Sequence, residues 1–223
     1  MRYTKDMPTY PVTPLTKLNR IPARGTYDAT VVHAILDEAL VCHLGFEQAG
    51  QPFVVPTTFA RVGETLYVHG AAASRMLRAA ASDVRVCVTV TLLDGLVFSR
   101  SWFHHSMNYR SVILLGSARD VTSDDEKTLA LAAVVDRVSP HRSRDARPPT
   151  SKELAATRVL AIPLLEVSAK VREGGPVEDG DDNDPTVYSG HVPLCIAAEV
   201  REAPSPSSPA IPQLPASLRR LTT

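Results

Sequence analysis

Paired cysteines are missing from this chain. Cys42, Cys87 and Cys195 are its three cysteines, an odd and widely spaced set. They exclude a disulfide framework and a C-x-x-C zinc site, and they fit a reducing, cytoplasmic setting. Cys42 and Cys87 lie in apolar runs and read as small buried hydrophobes. An excess of either charge is also lacking: 24 Lys+Arg face 24 Asp+Glu, for a formal net charge of +0. No global field therefore favours nucleic acid as a partner. There is no apolar run of about 18 residues, so no membrane span is expected. The opening Met1–Asp6 carries no apolar core of a secretion signal. A G-x-S-x-G elbow, a Rossmann fingerprint and a Walker loop are all absent, which removes the commonest hydrolase and nucleotide-fold signatures.

What is present is enough apolar material, 44% of 223 residues, for one domain with tails. Residues 1–26 read as an extended arm, broken by Pro8, Pro11, Pro14 and Pro22. Residues 27–172 alternate between strand and helix patterns. Asp28 caps a short helix to Ala39, and Ala39–Glu47, Pro52–Val62 and Thr65–His69 are strands joined at Gln48–Gln51 and Gly63-Glu64. A helix over Ala72–Ala81 interrupts them. Val84–Leu92 is a buried strand, Asp94-Gly95 a hairpin turn, and Leu96–Arg100 its return. Tyr109–Val121 is a strand, Ser123–Glu126 a capping box for a helix to Val138, and Thr150–Arg158 a helix before a final strand Val159–Lys170. Residues 173–223 are Gly/Asp-rich, then Pro/Ser-rich, and read as mobile or draped. Six to seven strands with tight antiparallel turns predict a mainly β fold, a barrel split by a helical crossover.

Three segments carry chemistry. Leu66–Arg75 takes a strand through His69-Gly70 and small residues to Ser74-Arg75 at a helix start, a geometry that suits phosphate or serves only the turn. Phe103–Val112 crowds Ser106, Asn108, Tyr109, Arg110 and Ser111 into a loop entering a strand, either a ligand clamp or a pinned surface loop. Phe53–Ala60 places Pro56 inside a strand beside Thr57 and Thr58, which implies an edge or bulge open to a ligand, or an ordinary β-branched strand. His104-His105 is not expected to bind metal. Adjacent residues of an extended chain point apart, and no carboxylate stands at ligand spacing.

Val54–Thr58, Leu66–Arg75, Val86–Leu93 and Tyr109–Gly116, in this order, resemble the FMN-binding split-barrel flavoproteins of the pyridoxamine 5′-phosphate oxidase-like superfamily. The match is closer to the nitroimidazole-reductase-like, flavin-nucleotide-binding branch, through His69-Gly70, Asn108–Val112 and Gly116-Ser117-Ala118. The resemblance covers about residues 20–195. It implies a homodimer with FMN between the subunits. Ser74 and Arg75 would then seat the phosphate, and Pro56, Thr57 and Thr58 would run along the ring. His69 and Gly70 would lie near the ribityl chain or ring edge, with His69 as proton donor. Thr89 would be a strand contact, and Asn108, Tyr109, Arg110 and Ser111 would complete the pocket. The implied activity passes electrons from NAD(P)H to a small acceptor: a nitro compound, a quinone or a flavin. A flavin or haem carrier or sensor is the alternative. Two departures matter. Met76 follows Arg75 where the oxidases proper carry a second cation, leaving Arg78 or Arg110 to supply it. The tail ends in Leu218–Thr223 without the oxidases' basic, tryptophan-bearing segment, which argues against oxidation of pyridoxamine phosphate. Tyr188 stands where close relatives carry Trp.

Overall fold

A computed structural model of the chain describes residues 8–80, 85–182 and 184–197. The expected Pro/Ser-rich tail beyond residue 197 lies outside them. In chain order the elements are β1 Gly25–Thr26, α1 Ala29–Glu38, β2 Val41–Gln48, β3 Gln51–Val62, β4 Thr65–Ala71, α2 Arg75–Ala80 and β5 Arg85–Phe98. There follow β6 Ser106–Ser117, β7 Arg119–Asp120, α3 Asp124–Val138, α4 Arg142–Asp145, α5 Ser151–Ala156, β8 Thr157–Pro163, β9 Glu166–Arg172 and β10 Gly190–Pro193.

Local chemistry explains most boundaries. Asp28 accepts the Thr30 amide at 2.7 Å and starts α1. Ser123 caps α3 through the Glu126 amide, and Thr150 with Glu153 forms a full capping box on α5. Gly63, at a φ of 56°, turns β3 into β4. Ala49 and Gly50, both at positive φ, turn β2 into β3.

The strands form one curled antiparallel sheet in the order β1-β9-β6-β5-β2-β3-β4-β8-β7, with β10 added on β5. This is the mainly β split barrel, with ten strands among the described residues rather than six to seven. The main core fills the inner face: Cys42, Leu44, Phe59, Leu66, Val88 and Leu114 are all buried there under α1 and α2. A second, smaller core lies on the outer face, where Tyr67, Val159 and Ala161 of β4 and β8 pack with Ala130 of α3.

Three expectations are corrected. Asp94-Gly95 is no hairpin turn: β5 runs through it and pairs with β6 on both sides of a register shift between Leu93 and Gly95. The bulge is exploited, because the Asp94 carbonyl accepts the Leu194 amide at 3.0 Å and β10 docks opposite Gly95. A Cβ at Gly95 would stand 3.0 Å from the Val192 carbonyl oxygen, so only glycine admits that strand. Ser106–Ser111 belong to β6 rather than to a loop, since β5 supplies them with a ladder. Val159–Lys170 is two strands, broken at Leu164-Leu165, because β8 pairs with β4 and β9 with β6.

The N-terminal arm is fastened from residue 8 onward. Tyr10 is buried, and its hydroxyl donates to Glu64 at 2.7 Å and meets His33 Nε2 at 2.9 Å. The acidic segment after β9 is draped. Arg100 binds Glu178, and Ser99 and Arg100 contact the backbone at Val177 and Asp184.

The cysteines differ sharply. Burial pushes the fully enclosed Cys42 thiol up to about 12, and it raises Cys87 as well, while Cys195 is exposed. Titration with an aromatic disulfide at pH 8 should therefore label Cys195 first. Cys42 should react only on unfolding; rapid labelling of all three thiols in the folded protein would contradict this burial pattern.

Candidate functional site

Strand alternation sorts the predicted residues onto two sides of the sheet. In β2, Cys42, Leu44 and Phe46 point into the core, so Val41, His43 and Gly45 point outward. In β5, Val86, Val88 and Val90 point inward and Thr89 outward. Register then links Ile113, Thr89, His43 and Pro56 as one row across β6, β5, β2 and β3. At about 4.8 Å per strand the row spans roughly 14 Å. Thr58, Ser111 and Tyr109 share this side, as do the outward positions Val41, Val54 and Cys87.

This face is open and uncharged across its middle. Val54 is 68% exposed, Val41 45% and Ile113 40%. The solvated face of an antiparallel sheet ordinarily carries charged side chains, whereas this one offers β-branched residues, hydroxyls, a proline and one imidazole. It has the composition of a face meant to be covered.

His69 lies on the same side by alternation with Tyr67, at the border where α3 stops covering the sheet. Its Nδ1 is buried with no hydrogen-bond partner, and burial lowers its pKa, which favours the neutral ring.

The remaining predicted residues are elsewhere. Thr57 alternates onto the inner side. Gly70 does too, and there Leu77 of α2 packs where a side chain would be, with 3.1 Å from its Cδ1 to a Cβ at that position. Ser74 caps α2 through the Leu77 amide at 3.5 Å. Arg75 lies over the Phe53 ring at 5.0 Å, exposed at the rim. Arg78 is exposed in the last turn of α2. Asn108 is buried beneath β6, its amide donating to the Gly174 carbonyl at 3.0 Å and its oxygen accepting from Arg172.

Arg110 is no free cation. Its guanidinium is shared between Glu38, at 2.5 and 2.7 Å, and Asp94, at 2.7 and 3.0 Å. That pairing holds the Glu38 carboxyl below the usual carboxylate range. As folded, four of the five Arg110 N–H groups are given to two carboxylates that also neutralise its charge, so Arg110 is not a free second cation for the expected Ser74-Arg75 seat.

Two things escaped the sequence. His43 is one; its signal was a polar residue alternating with Cys42 and Leu44, followed by a bare Gly45. The other is a carboxylate partner for His104. Its Nε2 lies 2.9 Å from Asp179, and the ligand atoms of His104, Asp179 and Asp182 stand within 4.8 Å of one another. The carboxylates come from the draped acidic segment, which spacing around His104 could not reveal.

Comparison with known proteins agrees with this architecture. The family model described as pyridoxamine 5′-phosphate oxidase matches residues 28–171. No curated protein matches. Among solved structures, the flavocytochrome Anf3 from Azotobacter vinelandii is 34% identical, with a TM-score of 0.85 over 94% of this chain and 97% of that one. The FAD and heme binding protein from Mycobacterium smegmatis is also 34% identical, with a TM-score of 0.81 over 89% and 97%. A putative 5-nitroimidazole antibiotic resistance protein from Bacteroides thetaiotaomicron shares the fold at 24% identity, with a TM-score of 0.56 over 66% and 86%. The family match over most of the barrel, together with near full-length similarity to two structures, makes this chain a member of the pyridoxamine 5′-phosphate oxidase family.

Proposed function

We propose that the protein is a two-cofactor electron-transfer protein that holds a flavin and a haem and works as a homodimer. The open, uncharged sheet face carries this reading. It offers an apolar floor at Val41, Val54 and Ile113 and hydroxyls at Thr58, Thr89 and Ser111, with Lys170 beside Ser111 at its edge. FAD is preferred to FMN, because the structures at 34% identity are described as a flavocytochrome and as an FAD and heme binding protein. Arg75 packs over the Phe53 ring on the inner side of β3, so it would meet a flavin phosphate only round the end of that strand.

When bound, a flavin would supply the redox chemistry between NAD(P)H and a small acceptor. The chain needs no acid–base dyad for this, and none is built on the open face. Its own residues position and enclose. Thr89 offers a donor, Ser111 offers an acceptor because its own hydroxyl donates to the Lys170 carbonyl, Pro56 leaves its strand without an amide at that point, and the apolar floor excludes water. A second copy seated on the same face would complete the cover, and a two-fold dimer in sedimentation is the expected state.

One spectrum tests the reading. Protein purified from cells supplied with haem precursors should show flavin bands and a Soret band. Heat should release FAD, identified by chromatography, and NAD(P)H should bleach the flavin bands without oxygen. Protein that emerges colourless and takes up neither added flavin nor haem would overturn the proposal. Release of FMN alone would return the flavin assignment to the one that the sequence motifs imply.

A further inference from the structure

The loop between β5 and β6 carries a cluster that the open face does not use. His104 ends the short turn Trp102–His104, just before β6 begins at Ser106. From there to Ile113 is a run of roughly 23 Å along β6, so the cluster is remote from the transverse row. The His104 side chain is 17% exposed, with the Phe103 ring edge-on to it, and its Nε2 meets Asp179 at 2.9 Å. Asp179 and Asp182 belong to one turn. The Asp182 amide donates to the Asp179 carbonyl at 2.9 Å, and the Asp179 amide donates to Asp182 Oδ2 at 3.2 Å. The turn sets two carboxylates beside one imidazole, with the three ligand atoms within 4.8 Å of one another. His105 takes no part, since its Nδ1 meets the Ser101 carbonyl at 2.8 Å.

Two carboxylates this close repel unless a cation lies between them. Among the described residues no Lys or Arg pairs with either one. Arg100, in the same loop as His104, is spent on Glu178 and on the Asp184 carbonyl. The segment is nonetheless anchored on both sides of the turn. Asn108 donates to the Gly174 carbonyl at 3.0 Å before it, and β10 pairs with β5 after it, from Gly190 opposite Phe98. Ser189 also donates to Glu178. These anchors hold the carboxylates over His104 against their own repulsion. One imidazole nitrogen and two carboxylate oxygens are a donor set for a divalent transition metal such as zinc or manganese. Bonds of about 2.0–2.2 Å to one ion place neighbouring ligand atoms about 3–3.5 Å apart. The His104–Asp179 pair already stands at that separation, and Asp182 need close by less than about 2 Å.

We propose that His104, Asp179 and Asp182 bind one divalent transition-metal ion, completed by water, which pins the acidic segment over the β5–β6 loop. The expectation of no metal at His104-His105 looked for carboxylates near in sequence, whereas Asp179 arrives from 75 residues away. The site shares no residue with the open face and does not depend on a cofactor there.

The test strips the full chain with a chelator and titrates it with Zn²⁺, and with Co²⁺ as a coloured probe. The unaltered protein should bind one equivalent. Its Co²⁺ spectrum should show nitrogen and oxygen ligation without a thiolate band, which separates this site from the exposed Cys195. His104→Ala, and Asp179→Asn combined with Asp182→Asn, should each lower affinity by about tenfold or more. His105→Ala should bind as the unaltered protein does. Zn²⁺ should also slow cleavage at Glu173 and Glu178 by a glutamate-specific protease, by roughly threefold or more. That protection should be absent in His104→Ala, and binding at an unrelated surface histidine would not produce it. The proposal is overturned if the unaltered protein takes up no stoichiometric metal, if His104→Ala keeps full affinity, or if Zn²⁺ leaves cleavage unchanged.

Discussion

Replacing Asn108 with Ala should lower stability by about 3 kcal/mol, because it strands a buried charge. Arg172 is 6% exposed and Asn108 8% exposed. No carboxylate pairs with that guanidinium among the described residues. It leans on the Asn108 oxygen and, at 3.5 and 3.4 Å, on the carbonyls of Gly174 and Gly175, while its Nε has no partner. Desolvation accordingly lowers the Arg172 pKa. Truncating Asn108 removes the best of these acceptors and frees the Gly174 carbonyl. For a chain of this length the melting temperature should fall by about 6–12 °C. Asn108→Asp should stay near the unaltered protein or exceed it, since a carboxylate would neutralise the buried cation. Equal melting temperatures for Asn108→Ala and the unaltered protein would show that Arg172 is satisfied without it. The pair of variants also separates two roles for Asn108, because a residue needed by the cofactor would lose flavin in the Asp variant while keeping stability.

Phe59→Ala should cost about 3–5 kcal/mol, the range for removing a buried aromatic from a well-packed core. Phe59 is 1% exposed and among the largest fully buried side chains, set where β3 passes from its β2 pairing to its β4 pairing. Both halves of the barrel pack around it, so neither can collapse into the space without losing register with the other. In urea the midpoint should fall with the slope unchanged. A loss under 1 kcal/mol would mean that the core closes over the gap. Val54→Ala, five residues earlier on the open side of the same strand, is the control. As a monomer it should change stability by less than about 0.5 kcal/mol. In a dimer that covers this face, the same change should also weaken association.

Local pattern alone settled a good deal of this fold. The alternation Val41-Cys-His-Leu-Gly-Phe46 assigns Cys42, Leu44 and Phe46 to one face without any tertiary information, because side chains in a strand point alternately to the two faces. Asp28, Ser123 and Thr150 mark helix starts because their side chains reach amides only two or three residues away. Gly63-Glu64 closes a hairpin within four residues for the same reason. The motif order that resembles a split barrel was legible because it runs along the chain.

The candidate site was only partly legible. Pro56, Thr58, Thr89, Ser111 and His69 share the outward side of the sheet, yet Asn108 and Arg110, adjacent in sequence to Tyr109 and Ser111, fall on the other. Asp94-Gly95 has the composition of a turn and became a bulge only because β10, about a hundred residues later, supplies a new neighbour there. Arg110 looked like a ligand clamp until the fold brought Glu38 from 72 residues away to occupy it. Which half of the outer face is covered was decided by α3, which packs over the end of β3 and over β4 and β8 and leaves β2 and β5 open. Sequence by itself determined periodicity, caps and turns, since these depend on forces within a few residues. Tertiary structure decided which charges are already spent and which face is left bare, because those depend on where distant segments land.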